Sequence, residues 1–304
     1  MKPYLRVTAL LLALVLLLSC TVNAADLSFL TSDGLEHAPD FTPSGPPDWT
    51  ETELTISSGS FVLAATLTIP GGTEPGEKTP IVILAHGLNS NRTYLSDVAW
   101  KLADQGIASI RFDMGGCGDS SGESTDMTVA TQTENVVDVL EYARGLSWVD
   151  TDQVFLFGKS MGGIAVMLAA SGHLDEIAGI ALWYPALVIT DGTQHGYLLG
   201  TTFNAFFPPA TVEAFDFSYS RKFIRQCQCL QMDSVMEKLN CPVLILHGDK
   251  DVVVPISYST HAAEVLPDCT MFTIYGGIHG FYGPQELVAL QITGKWFADA
   301  TGSA

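Results

Sequence analysis

Apolar and polar residues alternate from Glu51 to Ile69, interrupted at Ser57–Ser60, which is the period-two pattern of an antiparallel hairpin and its turn. The pattern then changes. Short apolar runs at Ile81–Ala85, Ala108–Phe112, Val154–Phe157, Ala178–Trp183, Val243–Leu246 and Met271–Tyr275 alternate with longer stretches of helical character. Those stretches lie near Tyr94–Gln105, Val129–Gly145, Met161–Ser171, Ile256–Val265 and Pro284–Phe297. Most of the apolar runs are continuous rather than alternating, as in strands covered on both faces. Strand and helix in regular succession predict an α/β domain with a mainly parallel, doubly wound sheet. No internal repeat is present.

One segment breaks this rhythm. Between about residues 188 and 239 no strand is evident, Pro208 and Pro209 interrupt the chain, and aromatics gather: Tyr197, Phe203, Phe206, Phe207, Phe215, Phe217, Tyr219 and Phe223. So many aromatic rings need either burial or a ligand. The segment is expected to form a small cap over the carboxyl edge of the sheet, where open α/β sheets bind their ligands.

The termini divide the chain further. Lys2 and Arg6 precede an apolar run from Ala9 to Leu18, and Val22-Asn23-Ala24 places small residues at a cleavage site. Residues 1–24 therefore read as a secretory signal peptide, since ten apolar residues fall short of the ~20 that span a bilayer. A rival reading makes Leu17-Leu18-Ser19-Cys20 a lipobox with Cys20 as lipid anchor; Leu18 fits that pattern poorly. The expected products are a secreted or periplasmic protein or, on the rival reading, an anchored lipoprotein. Residues 25–50 read as an extended lead-in, and 51–304 as one domain that includes the cap.

Charge and cysteines change this picture only in part. The 304 residues carry 14 basic and 33 acidic side chains, a formal charge of −19. Loss of residues 1–24 removes Lys2 and Arg6 but no acid, moving the charge to −21. Such a chain repels nucleic acid and anionic lipid. Beyond Cys20 lie Cys117, Cys227, Cys229, Cys241 and Cys269. Export permits disulfides, so one or two bridges and a buried thiol are expected, with Cys227 or Cys229 pairing Cys241 as one option. Cys227-x-Cys229 is too tight for a common zinc knuckle, and H-E-x-x-H is absent. Neither a metal nor a cofactor is expected.

Candidate chemistry centres on "VFLFGKSMGGIAV". Its "GKS" suggests a phosphate loop, but G-x-x-x-x-G-K-[ST] needs a glycine where Gln153 stands. The alternative is G-x-S-x-G: Gly158-Lys159-Ser160-Met161-Gly162, a serine on a strand-to-helix turn that demands small residues on both sides. A serine hydroxyl needs a histidine to take its proton and a carboxylate to orient that histidine. In this architecture the order is serine, acid, histidine. "HGDKDVVVP" follows a predicted strand and offers Asp249 and Asp251; "GGIHGF" follows the last strand and offers His279. His86 and His247 each end a strand in an H-G pair and read as structural. His37, His173, His195 and His261 carry no catalytic pattern.

The segments "AHGLNSN", "IRFDMGGCGDSSG", "FGKSMGG", "HGDKDVVVP" and "GGIHGF" resemble those of α/β-hydrolases, in order and spacing, over roughly Glu51 to Ala300. Among these, the bacterial cinnamoyl/feruloyl esterase-like group is most similar. The resemblance implies an α/β-hydrolase fold with an N-terminal hairpin and a cap insertion. It maps the catalytic acid to Asp251 and leaves Asp249 a turn residue. The triad is then Ser160, Asp251 and His279, with backbone N–H groups of Leu88 and Met161 as oxyanion donors. Lys159 stands where relatives often place histidine, and Cys117 likewise.

The expected function is a secreted serine hydrolase of carboxylic esters, with hydroxycinnamate esters of plant polysaccharide implied by the resemblance alone. Substrate contacts are expected from Lys159, Phe203, Phe206 and Phe207, the lysine favouring an anionic substrate if it faces the site. Serine peptidase, acylglycerol lipase and a non-catalytic binding protein of the same fold are the alternatives.

Overall fold

The computed structural model describes residues 48–72 and 77–302. The expected signal peptide with Cys20, the lead-in up to residue 47 and His37 lie outside them. Eight strands form the main sheet: β1 (Trp49–Ser58), β2 (Phe61–Pro70), β3 (Thr79–Ala85), β4 (Ala108–Phe112), β5 (Val149–Lys159), β6 (Gly179–Trp183), β11 (Val243–Gly248) and β12 (Cys269–Ile274). They lie in the order β1-β2-β4-β3-β5-β6-β11-β12. β1 and β2 form the expected hairpin, closed at Gly59 and Ser60, and β2 pairs antiparallel with β4. From β4 to β12 every pairing is parallel.

The helices of this domain are α1 (Ser96–Ala103), α2 (Val129–Arg144), α3 (Met161–Gly172), α7 (Ile256–Val265) and α8 (Pro284–Thr301). Each begins within two residues of its expected start. β5 starts five residues before the apolar run that predicted it, because its first part is the polar stretch Asp150–Gln153, exposed at Thr151 and Asp152. The apolar part of β5 and all of β4, β6 and β11 are buried. Each fully buried leucine or phenylalanine there contributes roughly 1.5–3 kcal/mol of transfer free energy.

Strand order positions the site. The chain passes from β3 outward to β4, then returns to the other side of β3 as β5. The order reverses between β3 and β5, and ligands of doubly wound sheets bind at such a point. Ala85 at the end of β3 lies in register with Gly158 of β5, and Lys159 with Trp183 of β6.

Residues 188–239 contain strands after all. The segment holds α4 (Ile189–Gln194), two small hairpins β7 (Tyr197–Leu198) with β8 (Thr201–Thr202) and β9 (Thr211–Ala214) with β10 (Phe217–Ser220), then α5 (Arg221–Gln228) and α6 (Met232–Met236). Strands of two to four residues are too short to print a period, which is why the sequence hides them. Hydrogen bonds tie the segment to loops at the carboxyl edge: Asn89 after β3, and Ser124 after β4 through Ser218 N–H (3.1 Å). Its aromatics divide. Tyr219 and Phe223 are fully buried, whereas Phe206 is 82% exposed, Phe207 81% and Phe215 77%.

Candidate active site

The turn after β5 cannot be built from ordinary residues. Ser160 has φ 53° and ψ −118°, a conformation that costs roughly 1–3 kcal/mol outside glycine. It is held by Trp183 and Ala186: Ser160 N–H donates to Trp183 O (3.0 Å), and Ala186 N–H donates to Ser160 O (3.0 Å). A Cβ on Gly158 would lie 2.6 Å from backbone atoms of Gly162 and Gly163. One on Gly162 would lie 2.3 Å from Ala85 O. The two glycines thus bring α3 against β3 and turn the serine outward.

Two loops from further along the chain meet this serine. His279 Nε2 lies 3.1 Å from Ser160 Oγ, and His279 Nδ1 lies 2.7 Å from Asp251 Oδ2. The carboxylate only accepts, so Nδ1 carries the proton and donates; Nε2 is left with its lone pair toward the hydroxyl. Asp251 Oδ1 also accepts from Val253 N–H (2.9 Å) and Val254 N–H (2.8 Å). Burial alone would raise this carboxyl's pKa. Hydrogen bonds to the His247 and His279 rings and to Val254 N–H outweigh that and hold it well below the usual carboxylate range. Asp249 instead accepts from Gly276 N–H (2.6 Å) and pairs with Lys250, a turn role.

The strand-ending histidines hold loops. His86 Nε2 accepts from Met114 N–H (3.0 Å), so its proton is on Nδ1, which donates to Gly87 O (2.7 Å). Burial pushes its pKa down. His247 Nε2 donates to Val254 O (2.8 Å) and Nδ1 accepts from Ser259 Oγ–H (2.6 Å). Gly87 lies against Ser160, since a Cβ there would be 3.0 Å from Ser160 Cβ. Leu88, half-buried, follows it, and Met161 is the buried first residue of α3.

Two expectations need correction. Lys159 is buried and makes none of the cluster's hydrogen bonds: its Nζ donates to Tyr94 O (3.0 Å) and stands 4.5 Å from the Trp183 ring centroid. Burial pulls its pKa down to about 8, against the opposing charges of Glu286 and Asp97. A side chain on β5 next to an outward serine points to the opposite face. The expected disulfides are absent too, as Cys117, Cys227, Cys229, Cys241 and Cys269 are all free thiols. Cys227 is buried and Cys229 exposed, because residues two apart on a helical turn do not share a face. Burial, and then the charge of Asp113, pushes the Cys117 thiol up to about 12, which favours its protonated form at neutral pH.

Phe203 packs on the core, and Phe206 and Phe207 are exposed, their amides accepted by Asn204 Oδ1. A cavity of about 320 Å³ between α4, α6 and α7, lined by Asp191, Asp233, Tyr258 and His261 among others, includes no residue of the Ser160 cluster. Sequence reasoning missed the aromatic wall behind His279. The Tyr184 ring lies 4.6 Å from the imidazole and 4.9 Å from Phe281, and both residues have positive φ, 37° and 21°. The available signal was "LWYP" at the end of β6. Among the described residues, no three His, Cys, Asp or Glu side chains are grouped to hold a metal, and no helix is long and apolar enough to cross a membrane.

A parallel sheet with a nucleophile-type turn after β5 and acid and histidine loops after β11 and β12 defines an α/β-hydrolase. Within that fold, the chain belongs to the family described as serine aminopeptidase, S33 (Hydrolase_4), which matches residues 76–236. A structure of Est1E from Butyrivibrio proteoclasticus with ferulic acid bound is similar over 82% of this chain and 99% of its own, with 29% identity and a TM-score of 0.77. The palmitoyl-protein thioesterase ABHD10 of Mus musculus is 29% identical over 218 residues, 66% of this chain and 69% of that protein. An uncharacterized 31.7 kDa protein of Escherichia coli from the traX-finO intergenic region is 34% identical over 121 residues. The match spans only 40% of that relative's length and 40% of this chain.

Proposed function

We propose that the chain is a serine hydrolase that cleaves carboxylic esters through Ser160, His279 and Asp251. The observation that carries this reading is the continuous line of hydrogen bonds from Asp251 Oδ2 through His279 to Ser160 Oγ at the carboxyl edge. Ser160 Oγ attacks the ester carbonyl while His279 Nε2 takes its proton. The carbonyl oxygen becomes an oxyanion held by the N–H groups of Leu88 and Met161, each worth ~3 kcal/mol to the transition state. Collapse expels the alcohol, which receives the proton from His279 and leaves an acyl-Ser160. Water then attacks with His279 as base, and the acid departs. Asp251 keeps the imidazole in the required tautomer and stabilises its charged form.

The likeness to Est1E with bound ferulic acid supports hydroxycinnamate esters as substrates. The exposed Phe206 and Phe207 suit contact with a bulky alcohol or acyl portion rather than a buried pocket. The relation to a palmitoyl-protein thioesterase supports a second reading, a thioester substrate, which the same serine chemistry cleaves. The mature protein is read as exported after cleavage behind Ala24; amino-terminal sequencing of exported protein should begin at Ala25.

The test is a substrate panel: p-nitrophenyl esters of graded chain length, methyl ferulate, an S-acyl thioester and aminoacyl anilides, beside Ser160→Ala. Ester turnover that the substitution abolishes supports the reading. Turnover confined to the thioester or to the anilides moves the substrate class, and a Ser160→Ala protein with wild-type turnover removes the mechanism.

A further inference from the structure

The loop after β3 is held at both ends. On one side His86 donates to Gly87 O and accepts from Met114 N–H, fastening the start of the loop to the loop after β4. On the other side stands Asn89, whose backbone is left-handed at φ 53°. Asparagine tolerates that region better than most residues because its short amide bonds locally. Here the amide bonds at long range instead. Its Oδ1 accepts from the Tyr219 hydroxyl, and its Nδ2 donates weakly to Ala214 O at 3.4 Å. Both partners belong to the β9–β10 hairpin, two register positions apart: Ala214 faces Phe217, and Tyr219 faces Val212.

We propose that Asn89 is a positioning residue that clasps the oxyanion loop to the β9–β10 hairpin, so that the Leu88 N–H is correctly placed only while the hairpin is seated. This rests on the proposed function above, in which that N–H receives the oxyanion. Glycine at position 89 would satisfy the backbone but offer neither donor nor acceptor. Tyr219 is itself fully buried, between Phe217 (centroids 6.3 Å, planes 22° apart) and Phe223 (5.1 Å, 35°). Burial also pushes its hydroxyl pKa far up, so it stays a donor throughout the working range. Ala214 precedes Phe215, 77% exposed and itself at φ 53°.

The consequence separates rate from binding. A donor lost outright costs about 10²–10³ in kcat; a donor displaced by a loosened loop costs less. Asn89→Gly and Tyr219→Phe are each expected to lower kcat on p-nitrophenyl acetate about 10-fold or more, with KM changed less than about 2-fold. Because both remove one clasp, the double variant should fall no further than the worse single one. Hydrogen exchange of a peptide spanning Gly87–Ser90 should be about 10-fold faster in Tyr219→Phe, a reading that needs no turnover and survives if Asn89→Gly folds poorly. Multiplying losses in the double variant, unchanged kcat in both single variants, or unchanged exchange each overturns the clasp. Ser160→Ala in the same series separates the two ideas. If it abolishes turnover while the clasp variants are silent, only the clasp fails; if it does not, the proposed function fails and takes this inference with it.

Discussion

The carboxyl edge of the sheet and the segment from 188 to 239 are joined at Asn89, yet they are built by opposite rules. Left-handed non-glycine residues occur in both, but Asn89, Ser160, Tyr184 and Phe281 follow five- to eleven-residue strands of the main sheet, whereas Leu199 and Phe215 sit at the turns of the two small hairpins. Such conformations persist only where the surroundings over-determine them. In the cap segment, strands are two to four residues long, and three phenylalanines face outward. The contrast teaches where precision resides. The proposed reacting groups sit on loops of the main sheet, while the 188–239 segment supplies exposed apolar surface and the proposed clasp.

Breaking the sheet edge should cost most. Asp251→Asn leaves the shape of the loop but removes the acceptor that fixes the His279 tautomer, and kcat on p-nitrophenyl esters should fall by ~10⁴. Asp249→Asn, confined to the turn at Gly276, should change kcat only a few-fold. If the Asp249 change is the crippling one, the acid has been assigned to the wrong carboxylate. Next in size is Gly162→Ala, whose Cβ would press on Ala85 O at 2.3 Å. It should destabilise the fold by about 1–3 kcal/mol in urea unfolding and lower kcat as well. Unchanged stability would mean that the close approach of α3 to β3 relaxes freely.

Lys159 gives a smaller effect with a definite sign. Its folded pKa of about 8 lies below the ordinary ~10.4 of lysine. Between those values the unfolded chain binds more protons than the folded one, so this group makes stability rise with pH across that window. Relative to Lys159→Met, the wild type should gain at most about 1.4 kcal/mol per pH unit from pH 8 to 10. Parallel pH–stability curves would show that the ammonium is not desolvated. Smallest is the effect on stability of Phe206→Ser with Phe207→Ser, expected within about 0.5 kcal/mol per site because both rings are exposed. Their expected signature is a raised KM for aryl esters. A large loss of stability instead would make them packing residues.

The same contrast decides what was legible in the sequence. β4, β6 and β11 are buried along their whole length and β3 from Ile81 onward, so their continuous apolar runs announced them. The hairpin announced itself through alternation and the glycine at 59. The Ser160, Asp251 and His279 loops were legible because each follows an apolar run of the sheet and carries a short motif. The β7–β10 strands were not, being two to four residues long and so too short to repeat the two-residue period. Asn89, Tyr184 and Phe281 were missed because a left-handed non-glycine residue is imposed by tertiary surroundings, not by its own sequence. Lys159 was misjudged for a related reason: adjacency to Ser160 does not say which face of β5 a side chain takes. The cysteines were misjudged because an export signal permits bridges without placing any two sulfurs together.

The central claim is that Ser160 is the covalent nucleophile. Mixing the protein with p-nitrophenyl acetate, quenching in acid within the first turnovers and mapping peptides by mass spectrometry tests it directly. The account predicts a burst of p-nitrophenol and an acetyl group on the peptide carrying Ser160, absent from Ser160→Ala and accumulating in His279→Ala only if attack proceeds slowly without its base. Steady turnover with no acylated Ser160 peptide, or the acetyl group on another residue, would contradict it.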